Sequence, residues 1–193
     1  RSSYHVFRSL LFKLEPETSH NLALRMLAIA EQVPFARRWL TRMFEFRDPR
    51  LETEAFRLRF RNPVGIAAGY DKNAYGARSL SMLGVGHVEV GTITLLPQYG
   101  NPRPRLFRLV EDNALINSMG FPSVGAAAVI PLLSRLRARP MPSRIGVNIG
   151  KGCDTPLDSA ILDYSDLLGK LHPYADYITI NISSPNTVGL RQL

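Results

Sequence analysis

Short apolar runs that end in polar residues recur along the chain from residue 62 onward. Small and β-branched residues predict buried strands at 62–69, 86–93, 145–150 and 177–182. A helical stretch at 74–83 separates the first two strands, whose starts lie about 24 positions apart. This spacing is typical of β-α-β units and predicts an α/β fold with a parallel sheet.

Residues 1–46 have helical rather than strand periodicity. Thr18 or Ser19 is expected to cap one helix that runs through Glu31. Pro34 stands where a second helix would begin, and that helix is expected to run through Phe44.

The second of these helices is amphipathic and basic. Phe35, Trp39 and Met43 recur at i, i+4 and i+8, and three arginines occupy the other side: Arg37, Arg38 and Arg42. An interfacial helix has this composition, because its aromatic side chains enter the lipid headgroup boundary and its arginines meet anionic lipid. The alternative, equally open, is that the apolar stripe packs on the protein itself.

Two further segments carry a recognisable pattern. Alternation from Ala55 to Phe60 predicts a half-exposed strand that closes the floor of a barrel. The connection 97–121 is long for a compact α/β unit, so it is expected to be functional and to hold a strand pair at 103–109. Glu89, in the middle of a predicted strand, needs a partner, and the arginines at 103, 105 and 108 are the candidates.

Composition sets the class of protein. A chain of 193 residues with 45% hydrophobic and 21% charged residues is ordinary for one globular domain and excludes a disordered chain. The net charge of +8 favours an anionic partner: a phosphorylated cofactor, an acidic substrate, an anionic membrane surface or nucleic acid. Nucleic acid is not expected, because the sequence has no recognisable binding motif and no basic stripe interleaved with aromatics.

Several kinds of site are excluded by the residues that they would require. Cys153 is the only cysteine and the four histidines are scattered, so neither an internal disulfide nor a zinc motif is expected. The dinucleotide fingerprint and the Walker motif are absent, which argues against nicotinamide and nucleoside triphosphate chemistry. No apolar run approaches the length of a membrane-spanning helix, so the chain is predicted to be cytoplasmic or peripheral.

Polar side chains are embedded in or follow the predicted strands. Asn148 and Asn181 lie inside apolar runs, where an unpaired carboxamide would be costly to bury, so each requires a partner. The carboxyl ends of barrel strands carry the active site, and we expect both amides to point into one space there. For Asn181 the alternative is a bond to a neighbouring strand's backbone. Taken alone, Lys72 would be a solvated loop lysine and Thr92 an ordinary strand residue.

Four segments resemble the motifs of class 2 dihydroorotate dehydrogenases, which are membrane-associated and reduce quinone. They are Asn-Pro-Val-Gly-Ile-Ala-Ala-Gly followed by Tyr-Asp-Lys, Asn-Ser-Met-Gly-Phe, Ile-Gly-Val-Asn-Ile-Gly, and Asn-Ile-Ser-Ser-Pro-Asn-Thr followed by Val-Gly-Leu-Arg. Ser184 matches the position of the catalytic base, which is Cys in class 1. The chain departs from the family pattern at Ser118, Pro122 and Val188, where the family usually has Arg or Gln, Asn, and Pro.

The resemblance implies an α/β fold of the (β/α)8 TIM barrel type that binds FMN. It implies that residues 47–193 form about the first half of the barrel and that residues 1–46 form a helical segment for membrane association and quinone access. The residues that it implies for FMN are Ala68, Gly69, Tyr70, Asp71, Lys72, Thr92, Asn148 and Asn181. Those that it implies for the substrate are Lys72, Asn117, Ser118, Met119, Gly120, Phe121, Asn181 and Asn186, with Ser184 as the catalytic base and no metal.

The implied reaction is the oxidation of dihydroorotate to orotate in pyrimidine biosynthesis, with a quinone as final electron acceptor. The implied location is the cytoplasmic face of the bacterial inner membrane, as a peripheral protein. Two alternatives remain: another FMN-barrel reductase, either class 1 or similar to dihydropyrimidine dehydrogenase, and a noncatalytic fragment that binds a membrane or a partner. The chain by itself is expected to be inactive.

Overall fold

The computed structural model describes residues 8, 11–184 and 190–192. Its helices include α1 (Pro16–Gln32), α2 (Pro34–Phe44), α3 (Ala77–Ser81), α4 (Ala126–Arg137) and α5 (Ala160–Leu171). Its strands include β1 (Thr53–Ala55), β2 (Leu58–Phe60), β3 (Gly65–Ile66), β4 (His87–Ile93), β5 (Leu106–Leu109), β6 (Ala114–Asn117), β7 (Arg144–Ile149) and β8 (Tyr177–Ile180). From β3 onward strands and helices alternate, as an α/β fold requires.

A four-stranded parallel sheet in the order β3-β4-β7-β8 organises the described chain. Strands β4 and β7 are buried along most of their length and form one core with the inner faces of α3, α4 and α5. The fully buried members of this core include Val88, Val90, Ile93, Val129, Leu133, Val147, Ile149, Leu167 and Leu171. Because each strand pairs with its successor in the sheet, the arrangement fits about half of a TIM barrel.

The predicted strands at 86–93 and 145–150 are confirmed to within one residue at their ends. The strand expected at 62–69 is much shorter, and the side chain of Asn62 bonds both its own segment and the loop before β4. Its Oδ1 accepts from Val64 N and from Gly86 N, both at 3.1 Å, and its Nδ2 donates to Gly84 O at 2.8 Å. The bond to Val64 N is a local side-chain turn, and the other two tie the segment before β3 to the segment before β4.

Helix α1 begins at Pro16, so the predicted cap at Thr18 or Ser19 is wrong. The side chain of Glu15 accepts from Thr18 N at 2.8 Å and from Thr18 Oγ1 at 2.9 Å. Pro16 fills the first helical position, where its missing N–H costs nothing. Pro34 does begin α2, which ends at Phe44 as predicted.

The segment expected as one strand at 55–60 is a hairpin instead. Phe56 and Arg57 form its two-residue turn with φ of 54° and 61°, and Ala55 pairs with Leu58. Glycine or asparagine usually marks such a turn, and this one contains neither. The alternating pattern therefore did not indicate a turn.

The insertion also differs from its prediction. Residues 103–109 supply only β5, and its partner is β6, with Leu106 opposite Asn117 and Leu109 opposite Ala114. The prediction of a strand pair within 103–109 is therefore wrong, although the insertion does contain a two-stranded hairpin.

Helix α1 packs on the barrel. Leu24 is buried in the same core as the sheet, and Glu17 accepts hydrogen bonds from Arg105 Nη2 at 2.7 Å and Arg103 Nη2 at 3.0 Å. Helix α2, in contrast, has no buried residue. Among the described helices, none has both the length and the apolar character needed to cross a bilayer. The domain boundary at 46/47 stays a prediction.

Candidate active site

Three polar side chains meet at the carboxyl ends of neighbouring strands. Thr92 Oγ1 donates to Asn148 Oδ1 at 2.7 Å, and Asn181 Nδ2 donates to Thr92 Oγ1 at 3.0 Å and to Asn148 Oδ1 at 3.2 Å. The expectation that the two amides share one space is confirmed. The alternative for Asn181, a side-chain bond to a neighbouring strand's backbone, is not what the structure has. We call these residues the Thr92–Asn148–Asn181 cluster.

The carboxylate of Glu89, three residues before Thr92 on β4, fixes the orientation of this cluster. Glu89 Oε1 accepts from Asn148 Nδ2 at 2.9 Å, and its Oε2 accepts from Thr179 Oγ1 at 3.0 Å. Burial and the neighbouring Glu89 charge raise the pKa of Tyr177, so its hydroxyl keeps the proton that it shares with Glu89. Because Nδ2 of Asn148 is drawn to Glu89, Oδ1 must face Thr92 and Asn181.

Glu89 is not paired with Arg103, Arg105 or Arg108, so that prediction is wrong. Arg103 and Arg105 bond Glu17, while Arg108 donates to Leu14 O at 2.7 Å and Ser19 Oγ at 3.1 Å. The arginines lie in the insertion, which packs against α1 rather than beneath the sheet.

The loop after β3 brings a lysine to the same end of the sheet, at the carboxyl ends of the strands. Lys72 Nζ donates to Gly69 O at 2.7 Å, and burial lowers the pKa of Lys72, an effect that Glu17 partly offsets. Asp71 is fully buried and accepts from Tyr75 N at 2.9 Å and Gly76 N at 2.8 Å. Burial raises the pKa of Asp71, and these backbone bonds oppose the rise. The Asp71 side chain therefore shapes the loop that presents Lys72.

The predicted substrate loop lies over the cluster. A Cβ placed on Gly150 would lie 3.3 Å from the Phe121 ring and 2.5 Å from Thr92 Cγ2, which puts all three residues in contact range. Gln98 Nε2 holds the loop by donating to Phe121 O at 2.8 Å and Gly120 O at 3.2 Å.

The rest of the predicted substrate loop is anchored through its backbone. Ser118 N donates to Arg105 O at 2.9 Å, and Asn101 N donates to Met119 O at 3.0 Å. Asn117 is exposed at the end of β6.

The segment after β8 carries the predicted base. Ser184 is half-buried, three positions after Asn181, in an irregular stretch. Ser183 braces Asn181, because its N and its Oγ both donate to Asn181 Oδ1 at 3.2 Å. Asn186 lies outside the described residues. The remaining predicted positions, Ala68 and Tyr70, flank Gly69 in the loop that ends at Lys72.

A cleft of about 770 Å³ opens between α1 and this loop. Its lining includes Glu17, His20, Leu24, Tyr70, Lys72 and Arg105. The rings of His20 and Tyr70 meet edge to face at 4.7 Å between centroids. Burial, together with the charge of Lys72, lowers the pKa of His20, which favours the neutral imidazole.

Sequence reasoning missed Glu17, His20, Glu89's true partners and Gln98. Glu17 and Arg105 are separated by 88 positions, and no periodic pattern records such a contact. The one local indication was an acidic residue in the first turn of an amphipathic helix, which would equally fit a solvated N-terminus.

Comparisons with known proteins agree on one family. The family model described as dihydroorotate dehydrogenase matches residues 50–193. The chain is similar to the dihydroorotate dehydrogenase (quinone) of Roseiflexus sp. (strain RS-1), with 49% identity over 100% of this chain and 53% of that protein. It is also similar to the protein of the same name from Thermus thermophilus, with 52% identity over 95% of this chain and 53% of that protein. The chain thus spans about half the length of the curated relatives it matches.

Solved structures give the same result. The crystal structure of DHODH from Eimeria tenella in complex with ferulenol superposes with a TM-score of 0.80 at 40% identity, covering 93% of this chain and 46% of that one. The ligand-free structure from the same organism superposes with a TM-score of 0.79 at 41% identity, covering 93% of this chain and 49% of that one.

Proposed function

The chain belongs to the dihydroorotate dehydrogenase family, and we propose that it forms the first part of the active site of an enzyme that oxidises dihydroorotate to orotate in pyrimidine biosynthesis. The observation that carries the proposal is the Thr92–Asn148–Asn181 cluster beneath Phe121 and at the sheet edge that Lys72 also reaches. These groups lie at the carboxyl ends of parallel strands, where TIM-barrel enzymes place their chemistry.

FMN is the cofactor that we propose for this site. The donor set fits a flavin ring, because a hydroxyl, two amides and an ammonium group match its carbonyl oxygens and ring nitrogens. Gly69 adds room for the ring, since a Cβ there would meet nothing within 4 Å. Ala68, Tyr70 and Asp71 complete the loop. When bound, FMN would supply the hydride acceptor that side chains lack.

Lys72 has two tasks in this proposal. Its ammonium group pairs with the carboxylate of the substrate and stabilises negative charge near the flavin ring. Burial lowers the pKa of Lys72, and the charges of Glu17 and Asp71 partly offset that effect. We propose that Asn117 and Asn181 bond the polar edge of the pyrimidine, that Asn186, which lies outside the described residues, also contributes, and that the loop from Ser118 to Phe121 covers the substrate and excludes water.

Ser184 is the proposed general base, which takes the proton from C5 of dihydroorotate as hydride leaves C6. A serine hydroxyl is a weak base, so this role requires a dry pocket and an onward path for the proton. In the complete enzyme, Ser184→Ala should slow flavin reduction by dihydroorotate by at least about 100-fold. Stopped-flow absorbance measures the rate, and flavin content should stay nearly unchanged.

Ser134→Ala is the matched control, because Ser134 is exposed on α4, away from the cluster. Reduction of the Ser184→Ala enzyme at the rate of this control would exclude Ser184 as the base.

A quinone is the proposed final acceptor, and the cleft between α1 and Lys72 is its proposed entry. The relatives bear the name dihydroorotate dehydrogenase (quinone), which favours this acceptor over that of a class 1 enzyme or a dihydropyrimidine dehydrogenase-like reductase. The cleft joins the α1 surface to the proposed flavin site. The other alternative, a noncatalytic binding fragment, would not account for the Thr92–Asn148–Asn181 cluster at the carboxyl ends of the strands.

The membrane surface is the proposed location, with α2 as the contact. Phe35, Trp39 and Met43 are exposed by 80%, 53% and 61%. Apolar side chains in one stripe on a helix with no buried residue are typical of an interfacial helix. A quinone dissolved in the bilayer would then reach the enzyme from the side on which α1 and α2 lie. We place the enzyme at the cytoplasmic face of the bacterial inner membrane.

A further inference from the structure

A second cleft, of about 810 Å³, lies between α2, the end of α3 and the loop that precedes β7. Arginines dominate its lining: Arg37, Arg38, Arg42, Arg61, Arg78 and Arg139. Two glutamates, Glu31 and Glu45, oppose them. Six arginines against two glutamates leave a strongly positive cavity, which attracts anions.

Two of these arginines are committed to the fold. Arg61 pairs with Glu45 at 2.9 Å and donates to Ser81 O at 2.8 Å, while Arg78 donates to Arg139 O at 3.1 Å and lies 4.0 Å from Glu31. They also account for both glutamates in the lining.

The other four arginines line the cleft without such commitments. Within the described part of the chain, no carboxylate comes within salt-bridge distance of their guanidinium groups: Arg37, Arg38, Arg42 and Arg139. All four are exposed, so their charge is available to a ligand.

The cleft borders the apolar stripe of α2. At about 100° per residue, Arg38 and Arg42 lie roughly 60° and 20° from Phe35 on one side, and Trp39 lies roughly 40° away on the other. Of the three arginines expected opposite the apolar stripe, only Arg37, roughly 160° from Phe35, lies there. Phe35 itself belongs to both surfaces, because it lines the cleft and is the first residue of the apolar stripe. A cationic cavity and an apolar ridge therefore share one edge of the helix.

We propose that this cleft binds the phosphate headgroup of an anionic phospholipid, with Arg38, Arg42 and Arg139 around the phosphate and the acyl chains along Phe35, Trp39 and Met43. Guanidinium groups bond phosphate oxygens in pairs, which gives geometric specificity besides charge. A free phosphate would satisfy the arginines but leave the stripe in water. The proposal rests on the membrane location proposed above and adds which lipid chemistry it recognises.

The test is vesicle co-sedimentation of the complete enzyme without substrate. One set of vesicles is pure phosphatidylcholine and the other contains one part in five of phosphatidylglycerol. Arg38→Gln with Arg42→Gln should weaken binding to the anionic vesicles by about 25-fold, at about 5-fold for each arginine. The matched control, Arg59→Gln with Arg135→Gln, removes the same charge from exposed positions outside the cleft and should change binding by less than about 2-fold.

Arg38→Lys with Arg42→Lys keeps the charge but loses the paired bonds, so it should fall between the unaltered enzyme and the glutamine pair. Circular dichroism melts verify that every variant is folded. Equal losses in the cleft pair and the control pair would overturn the proposal, because only diffuse charge would then matter. The proposal would also be overturned if the lysine variant bound anionic vesicles as tightly as the unaltered enzyme does.

Competition distinguishes the sources of phosphate. Inorganic phosphate or glycerol 3-phosphate at millimolar concentration should not release the enzyme from anionic vesicles. Release by either would assign the cleft to a soluble anion and overturn the lipid proposal. Failure of the unaltered enzyme to bind either vesicle would instead contradict the membrane location itself, and dehydrogenase activity enters none of these readouts.

Discussion

At the scale of single residues, Glu89 determines how the amide of Asn148 is turned. Three donors converge on its carboxylate, from Asn148, Thr179 and Tyr177. The two oxygens of the carboxyl group accept all three, whereas a glutamine offers one oxygen and brings two donors of its own. The orientation of the proposed flavin site therefore depends on a residue that itself does not reach the cofactor.

We expect Glu89→Gln to destabilise the complete enzyme by about 1–2 kcal/mol, because a buried donor loses its acceptor. We also expect flavin affinity to fall by about 10-fold, the equivalent of one hydrogen bond lost through a rotated amide. Urea unfolding and flavin titration measure the two effects. Glu111→Gln, at an exposed position, is the control; loss of stability with unchanged flavin affinity would show that Glu89 is only structural.

Gly150 gives a second residue-scale prediction. A Cβ there would lie 2.5 Å from Thr92 Cγ2, so Gly150→Ala should cost about 1–3 kcal/mol and displace Phe121. Adding Thr92→Ser removes the clashing methyl group but keeps the hydroxyl that bonds Asn148, and it should restore most of the loss. Denaturant unfolding of the two single variants and the double variant measures the coupling. If the losses of stability in the two single variants simply add in the double variant, the clash does not involve the methyl group of Thr92.

At the scale of elements, local patterns predicted α2, β4 and β7 because each is specified by its own residues. Pro34 fixes the start of α2, and the mostly apolar residues of β4 and β7 fit a sheet buried on both faces. The hairpin of β1 and β2 was missed because Phe56 and Arg57 adopt positive φ without help from glycine. The start of α1 was missed because glutamate rarely caps a helix.

In the candidate site, too, some residues could be predicted from local sequence and others could not. The sequence predicted correctly that Asn148 and Asn181 share one space, since each buried amide requires a partner and both follow the pattern of strand ends at one face of the fold. It misassigned the partner of Glu89 because charge alone cannot tell which arginine a fold brings near. Contacts such as Glu17 with Arg105 arise only when the insertion docks on α1, which no local pattern encodes.

That docking makes the contact between α1 and the insertion sensitive to acid. Arg105 lowers the pKa of Glu17 below its ordinary 4.5, so the pair stabilises the fold fully above that pH and loses its effect as pH falls through the lower folded-state pKa. We expect Glu17→Gln to cost about 3 kcal/mol at pH 7, because Arg105 is left buried and unpaired.

As pH falls from about 5 through the lowered pKa of Glu17, this difference should shrink, since protonation also removes the charge of Glu17 in the unaltered protein. Urea unfolding of both proteins across that range measures the convergence. Asp71, whose pKa is raised, contributes an opposite slope, but it is common to both proteins and cancels. A difference that stays constant with pH would show that the ion pair does not carry the stability.

At the scale of the whole molecule, the sheet edge at β8 decides how residues 1–193 behave when produced by themselves. In the described residues β8 pairs only with β7, and Ile180 and Ile182 beside that edge are 57% and 47% exposed. An apolar strand with unpaired N–H and C=O groups is a template for another chain, and a closed barrel removes such edges.

We therefore expect this chain alone to self-associate at micromolar concentration, to bind FMN weakly and to show no turnover. The cofactor phosphate is usually held by loops after the last strands of such barrels, and the four parallel strands described here precede that part of the fold. Light scattering after gel filtration measures association, and visible absorbance measures bound flavin. A monomeric yellow protein with stoichiometric flavin would show that the cluster of Thr92, Asn148 and Asn181, with Lys72, suffices to hold the cofactor.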